Sequence, residues 1–184
     1  MIKLKTTRNH LPLLVLTALL LNACASYESM HGPSAQATVA PTSVALAAGM
    51  KPEGTVRFIQ HGERVMVRGQ ISGLKPNGVH GFHVHDGADC SGDGLGTKGH
   101  FNPDGQAHGM HGSGAHHVGD LPALKADANG VAKVDFVATK IKVSAGAASI
   151  VGRGLVVHRD PDDYKTQPTG NAGPRPGCGV IKAG

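Results

Sequence analysis

From residue 54 onward, apolar and polar side chains alternate with a period of two in short runs: 55–60, 64–71, 79–86, 131–137, 149–151, 155–158 and 179–182. Alternation of this kind marks strands that bury one face. Turn-forming stretches separate the runs, among them His61-Gly62-Glu63, Lys75-Pro76-Asn77-Gly78 and Asp127-Ala128-Asn129-Gly130. No stretch shows convincing helical periodicity, so the pattern predicts an all-β sandwich or barrel. Two long Gly-rich segments, 86–120 and 159–177, fall outside the alternation. Loops of that length in a compact domain usually carry function. Composition agrees: 27 Gly, 11 Pro, no Trp, two Tyr and four Phe disfavour a helical bundle.

The chain begins differently. Lys3, Lys5 and Arg8 precede an apolar run over 11–21 that ends at Asn22-Ala23-Cys24. About eleven residues are too few to cross roughly 30 Å of hydrocarbon as a helix. A basic start, a short apolar stretch and a small residue before the cut make 1–23 a secretory signal peptide. Leu21-Asn22-Ala23-Cys24 resembles the lipobox of bacterial lipoproteins, which makes Cys24 the lipidated first residue of the mature chain. The alternative is an ordinary signal peptide cut elsewhere, for example after Ala25. Residues 24–53 are rich in Ala, Ser, Thr, Pro and Gly and read as a flexible linker, which places the folded domain at 54–184. The expected location is the periplasmic side of a bacterial membrane, lipid-anchored, with the outer membrane favoured by Ala25.

The formal net charge of +5 changes little, because Lys3, Lys5 and Arg8 leave with the leader. Nothing in the remaining balance points to nucleic acid. Besides Cys24 there are two cysteines, Cys90 and Cys178. In an exported chain they are expected to form a disulfide. Free thiols acting as metal ligands are the alternative, weakened by the absence of a Cys-x-x-Cys pair.

Histidine is what stands out. Eight of the twelve His lie between His80 and His117. In the run 79–86, alternation puts His83 and His85 on one face and Phe82 and Val84 on the other. Two imidazoles spaced i and i+2 suit a metal. His100, His108, His117 and Asp120 follow, and His158 ends a later run. Imidazole suits copper and zinc, and a lone carboxylate among histidines suits zinc. The bland alternative is a His-rich loop that gathers metal without specificity.

Five motifs then occur in order: Gly81-Phe82-His83-Val84-His85, Gly99-His100-Phe101-Asn102-Pro103, His117-Val118-Gly119-Asp120, Val156-Val157-His158, and Gly170-Asn171-Ala172-Gly173 continuing through Arg175 to Cys178-Gly179-Val180-Ile181. Together they resemble the copper-zinc superoxide dismutases, of the secreted bacterial lipoprotein type, across residues 54–184, and the resemblance implies a Greek-key β-barrel. The resemblance implies copper held by His83, His85, His100 and His158. It implies zinc held by His100, His108, His117 and Asp120, with His100 bridging the two. Asp162 would link ligand histidines of the two metals from outside, and Cys90 and Cys178 would form the family's disulfide. His100 and Arg175 would be the catalytic pair, Arg175 guiding an anion to the copper between Pro174 and Pro176. Lys98 and Lys165 are candidate contributors to that field. The implied substrate is superoxide, converted to dioxygen and hydrogen peroxide as copper alternates between Cu(II) and Cu(I), in protection against extracytoplasmic superoxide. The membrane is a partner through lipidated Cys24. A homodimer is one assembly the resemblance allows, but the dimer surface differs between branches of the family and is not carried over. A noncatalytic copper- or zinc-binding lipoprotein of the same fold is the alternative function. His111 and His116 have no counterpart among the family's ligands, and His61 and His80 read as structural or surface residues.

Overall fold

The computed structural model describes residues 32–184. Nine strands form among the described residues: β1 Ser34–Pro41, β2 Glu53–His61, β3 Arg64–Ser72, β4 Val79–His80, β5 Phe82–His85, β6 Leu124–Lys125, β7 Ala132–Ala138, β8 Gly154–Val157 and β9 Gly177–Ala183. Seven of them make one antiparallel sheet in the order β5-β8-β9-β1-β2-β3-β7, and β4 pairs with β6. The non-sequential order requires long crossovers, and the sheet curls around a core that includes Val56, Phe58, Val67, Phe82, Val84, Leu155 and Ile181. The expected all-β Greek-key architecture is the one observed.

Two expectations need correction. Residues 34–41 are not linker. They form β1, which lies between β2 and β9 and pairs with both, Ala37 opposite Val56 on one side and Ile181 on the other. Its inward side chains are Ala35, Ala37 and Val39, too small to register as an apolar stripe, and the strand is held by backbone ladders on two edges. The turns that follow bury Ala45 and Met50, so the folded unit starts at Pro33. Cys24 and the leader lie outside the described residues. The second correction concerns 149–151, which form no strand. Ser149 makes one isolated bridge, to Lys142.

The run 79–86 is also broken in two at Gly81. Its N–H donates to Asp160 O (2.9 Å), and a Cβ there would sit 2.9 Å from Ala172 Cβ and 3.1 Å from His83 Cε1. Only glycine fits where these segments close on the site. Apart from short turns and a 3-10 turn at Leu95–Thr97, the segments 86–120 and 159–176 are irregular, as expected, and β9 begins at Gly177.

A disulfide joins Cys90 in the first long loop to Cys178 in β9, with Cα atoms 5.6 Å apart across a sequence separation of 88. Closing a loop of that size removes chain entropy from the unfolded state worth on the order of 4 to 5 kcal/mol. The double variant Cys90→Ser, Cys178→Ser should lose stability of about that size in urea unfolding. An unchanged midpoint would show that other contacts already hold the loop.

Candidate metal centre

Strand β5 is buried on both faces: Phe82 and Val84 enter the core, and His83 and His85 lie under the long loops with no exposed surface. Its partner β8 runs into His158. The first long loop is stitched to β5 by main-chain bonds, Phe101 N–H to Val84 O (2.9 Å), Gly119 N–H to Phe101 O (2.8 Å) and Val84 N–H to Gly119 O (2.8 Å). Those bonds set His100 opposite His85 and Asp120 opposite His83. Residues far apart in sequence are thereby brought to one strand.

Two groups of buried donors result. In the first, one ligand atom from each of His83, His85, His100 and His158 lies within 4.8 Å of every other. In the second the same holds for His100, His108, His117 and Asp120. His100 belongs to both.

The hydrogen bonds around the first group fix which nitrogen faces inward. His85 Nδ1–H donates to Lys98 O (2.9 Å) and His158 Nδ1–H to Gly173 O (3.1 Å), so both Nε2 atoms carry lone pairs, and these stand 3.2 Å apart. His83 Nε2–H donates to Asp162 Oδ2 (2.8 Å), which leaves Nδ1 buried without a partner, and His100 Nε2 is equally unpartnered. Buried acceptors without donors are costly. Four converging imidazole lone pairs fit a copper ion. In the second group, Asp120 Oδ2 accepts the main-chain N–H of His117 (2.8 Å) and of Gly109 (3.2 Å). Its Oδ1 is left to face His100 Nδ1 at 2.8 Å, His108 Nδ1 at 3.1 Å and His117 Nδ1 at 3.5 Å. Three nitrogens and one carboxylate oxygen fit a closed zinc site. Asp162 spans the groups, taking His83 on Oδ2 and His108 Nε2–H on Oδ1 (2.8 Å). Outer carboxylates of this kind fix tautomer and ring orientation.

Burial sets the protonation. Loss of water around the rings, then the mutual proximity of the imidazoles, holds His85 and His158 well below the ordinary histidine range. Burial also lowers His83, and it lowers His100 to about 4 against the pull of Asp120. The first group therefore presents neutral imidazoles at pH 7, the form a metal requires. His108 goes the other way. Burial disfavours its charge, but hydrogen bonds to Asp120 and Asp162 outweigh that and raise it to about 9. The same bonds hold both carboxylates well below their usual range despite burial.

Beside His158 opens a cleft of about 320 Å³ whose walls include Asp93, Leu95, Gly173 and Arg175. Arg175 Nη1 donates to Gly94 O (3.1 Å) and Thr97 Oγ1 (2.9 Å). Its main chain is clamped as well, Thr42 Oγ1–H donating to Arg175 O (2.7 Å) and Thr42 N–H to Pro176 O (3.0 Å). Thr42 and Thr97 are residues that sequence reasoning missed, and nothing local marks either one. Lys98 and Lys165 are exposed and do not line the cleft. His80 is buried, its Nδ1–H shared between Arg159 O (2.8 Å) and His158 O (3.1 Å), and His61 is exposed at the end of β2.

An antiparallel β fold carrying two buried donor groups that share one imidazole defines a binuclear metalloprotein. Residues 52–181 match the family described as copper/zinc superoxide dismutase, and the chain belongs to that family, whose metals are copper and zinc. It is 47% identical over 135 residues to the Cu-Zn superoxide dismutase of Paramecium bursaria Chlorella virus 1, covering 70% of this chain and 72% of that one. It also superposes on the crystal structure of the clock protein EA4 with a TM-score of 0.70 and 39% identity, covering 82% of this chain and 94% of the other.

Proposed function

We propose that the chain is a superoxide dismutase, an oxidoreductase that converts two superoxide anions and two protons into dioxygen and hydrogen peroxide. The observation that carries this reading is His100, one imidazole shared by a four-nitrogen group and a three-nitrogen, one-oxygen group, the first of which reaches the cleft of Arg175 through His158. Bound copper would supply one-electron exchange in both directions, and bound zinc, which has no redox chemistry, would order the loop and His100.

The remaining roles belong to the chain. With Nη1 occupied by Gly94 O and Thr97 Oγ1, the guanidinium of Arg175 keeps Nη2 and Nε to attract and hydrogen-bond a small monoanion. His100 Nε2 is buried and unprotonated at neutral pH, so it can take up one proton and pass it to the reduced substrate. Asp162 holds His83 and His108 in the tautomers that expose their inward nitrogens.

Arg175→Ala should lower kcat/KM by about 10- to 100-fold, the worth of a charge-assisted contact of roughly 1.5–3 kcal/mol. Both metals should stay bound, and the deficit should shrink as salt rises. Stopped-flow decay of superoxide at two ionic strengths checks it; equal rates at low salt would remove the role. The function itself is tested by metal content and dismutation assay before and after copper withdrawal and return. Activity that follows copper is expected. Zinc alone, with no activity once copper is supplied, would leave a metal-binding protein without turnover.

We further place the enzyme outside the cytoplasm, on the periplasmic side of a bacterial membrane, anchored through lipidated Cys24 and favouring the outer membrane. The leader, the Leu21-Asn22-Ala23-Cys24 motif and the use of a disulfide support this. Superoxide crosses membranes poorly, so its task there is protection against superoxide generated outside the cytoplasm. Incorporation of labelled fatty acid that disappears in Cys24→Ser tests the anchor.

A further inference from the structure

His111 and His116 belong to neither donor group, yet they share two features with a pair that does, His85 and His158: the spacing of the rings and the use of Nδ1. Their ring centroids are 5.5 Å apart, and those of His85 and His158 are 5.4 Å apart. In both pairs each Nδ1–H is spent on a main-chain carbonyl. His111 donates to Asp120 O (2.9 Å) and His116 to His117 O (2.7 Å). A neutral imidazole so engaged carries its lone pair on Nε2, and an N–H fixed on a carbonyl is the usual outer partner of a ligating histidine. His116 is 4% exposed, and its Nε2 accepts only a long contact from Gly112 N–H, 3.4 Å. That is a weak use of a buried acceptor.

The surroundings suit an ion. Gly112 and Gly114 have φ of 78° and 54°, and a Cβ at either would meet nothing, so no neighbour packs over the segment between the histidines. Met110, half exposed, offers a thioether next in sequence to His111. Phe136 packs edge-on against the His111 ring with centroids 5.7 Å apart, and Lys140 Nζ–H donates to the main-chain O of His116 (3.1 Å), which ties down the backbone that carries the second ring.

We propose that His111 and His116 form a third metal position, distinct from the two donor groups, that takes a late first-row cation such as zinc through the two Nε2 atoms. The carbonyls that orient the pair belong to Asp120 and His117, residues of the second donor group. An ion captured here would therefore sit beside that group, as a staging point for zinc. Two imidazoles completed by solvent or Met110 give micromolar affinity, well below that of a closed four-ligand site.

The test is equilibrium dialysis of the full chain, already loaded with copper and zinc, against zinc alone, with bound metal counted by mass spectrometry. One additional equivalent with micromolar affinity is expected. His111→Ala should weaken it at least tenfold. His116→Asn should do the same, since Asn keeps an N–H for His117 O but offers no ring nitrogen. Both variants should retain the two resident metals, read in the same measurement. No additional equivalent, or one kept at full affinity in His111→Ala, would overturn the proposal and assign any extra zinc to other histidines such as His61. If His116→Asn sheds resident zinc, His111→Ala alone decides.

Discussion

A chain that begins at residue 53 should not fold, although its first run of clear alternation lies only two residues further on. β1 is the fourth of seven strands in the sheet, and its removal leaves β9 and β2 as unpaired edges facing each other across a gap. The ladders lost run from Ser34 to Val39 on the β2 side and from Ala35 to Pro41 on the β9 side. A domain of this size is stable by only about 5–15 kcal/mol, so losing a central strand exceeds the margin. The same segment holds the cleft, because Thr42 clamps Arg175 and Pro176. The expected result is a far-UV spectrum without sheet signal and rapid proteolysis. A single substitution makes the same point: Ala37→Asp puts a carboxylate between Val56 and Ile181 at a position with no exposed surface, which costs several kcal/mol. A truncated chain that folds and binds metal would show that β1 is an appendage.

The contrast between β1 and β2 explains what could be read in advance. In β2 the inward residues include Val56 and Phe58, large enough to make the alternation visible. In β1 they are two alanines and a valine between Ser, Gln and Thr, a pattern shared with linkers, and what stabilises the strand is its neighbours. The donor set was legible for a different reason. His83 and His85 sit on a strand whose period fixes their common face, and the motifs around His100, Asp120 and His158 state residue types that chemistry restricts. What holds those donors in aim was not legible. The bridges from the loop to β5, the carbonyls of Lys98 and Gly173, and the hydroxyls of Thr42 and Thr97 are contacts across the fold that leave no local trace. The break at Gly81 belongs with them, since it comes from the approach of Ala172, some ninety residues on.

His100→Ala should cost more activity than any change outside the donor groups, at least about 100-fold, because one residue serves both. Its Nδ1 lies 2.8 Å from Asp120 Oδ1, and its ring stacks on His83 with centroids 3.9 Å apart. Phe101 anchors it from the next position, bonded to Val84 O and covered by the Arg153 guanidinium 3.5 Å above its ring. Removing the imidazole takes one donor from each group, and it deletes Nε2, the atom proposed above to hold the proton for the reduced substrate. Excess copper and zinc should therefore restore occupancy in part and activity hardly at all. Asp162→Asn should behave differently. Asn keeps the shape but loses the charge and one acceptor, so His83 and His108 are less firmly fixed, and metal affinity should fall about 10- to 100-fold. Because the donors themselves remain, excess metal should return most of the activity. Dismutation rates and metal content of the two variants, measured with and without added metal, separate loss of a reacting group from loss of its support. If His100→Ala recovers as fully as Asp162→Asn, the shared imidazole does no more than hold metal, and the proton must be carried elsewhere.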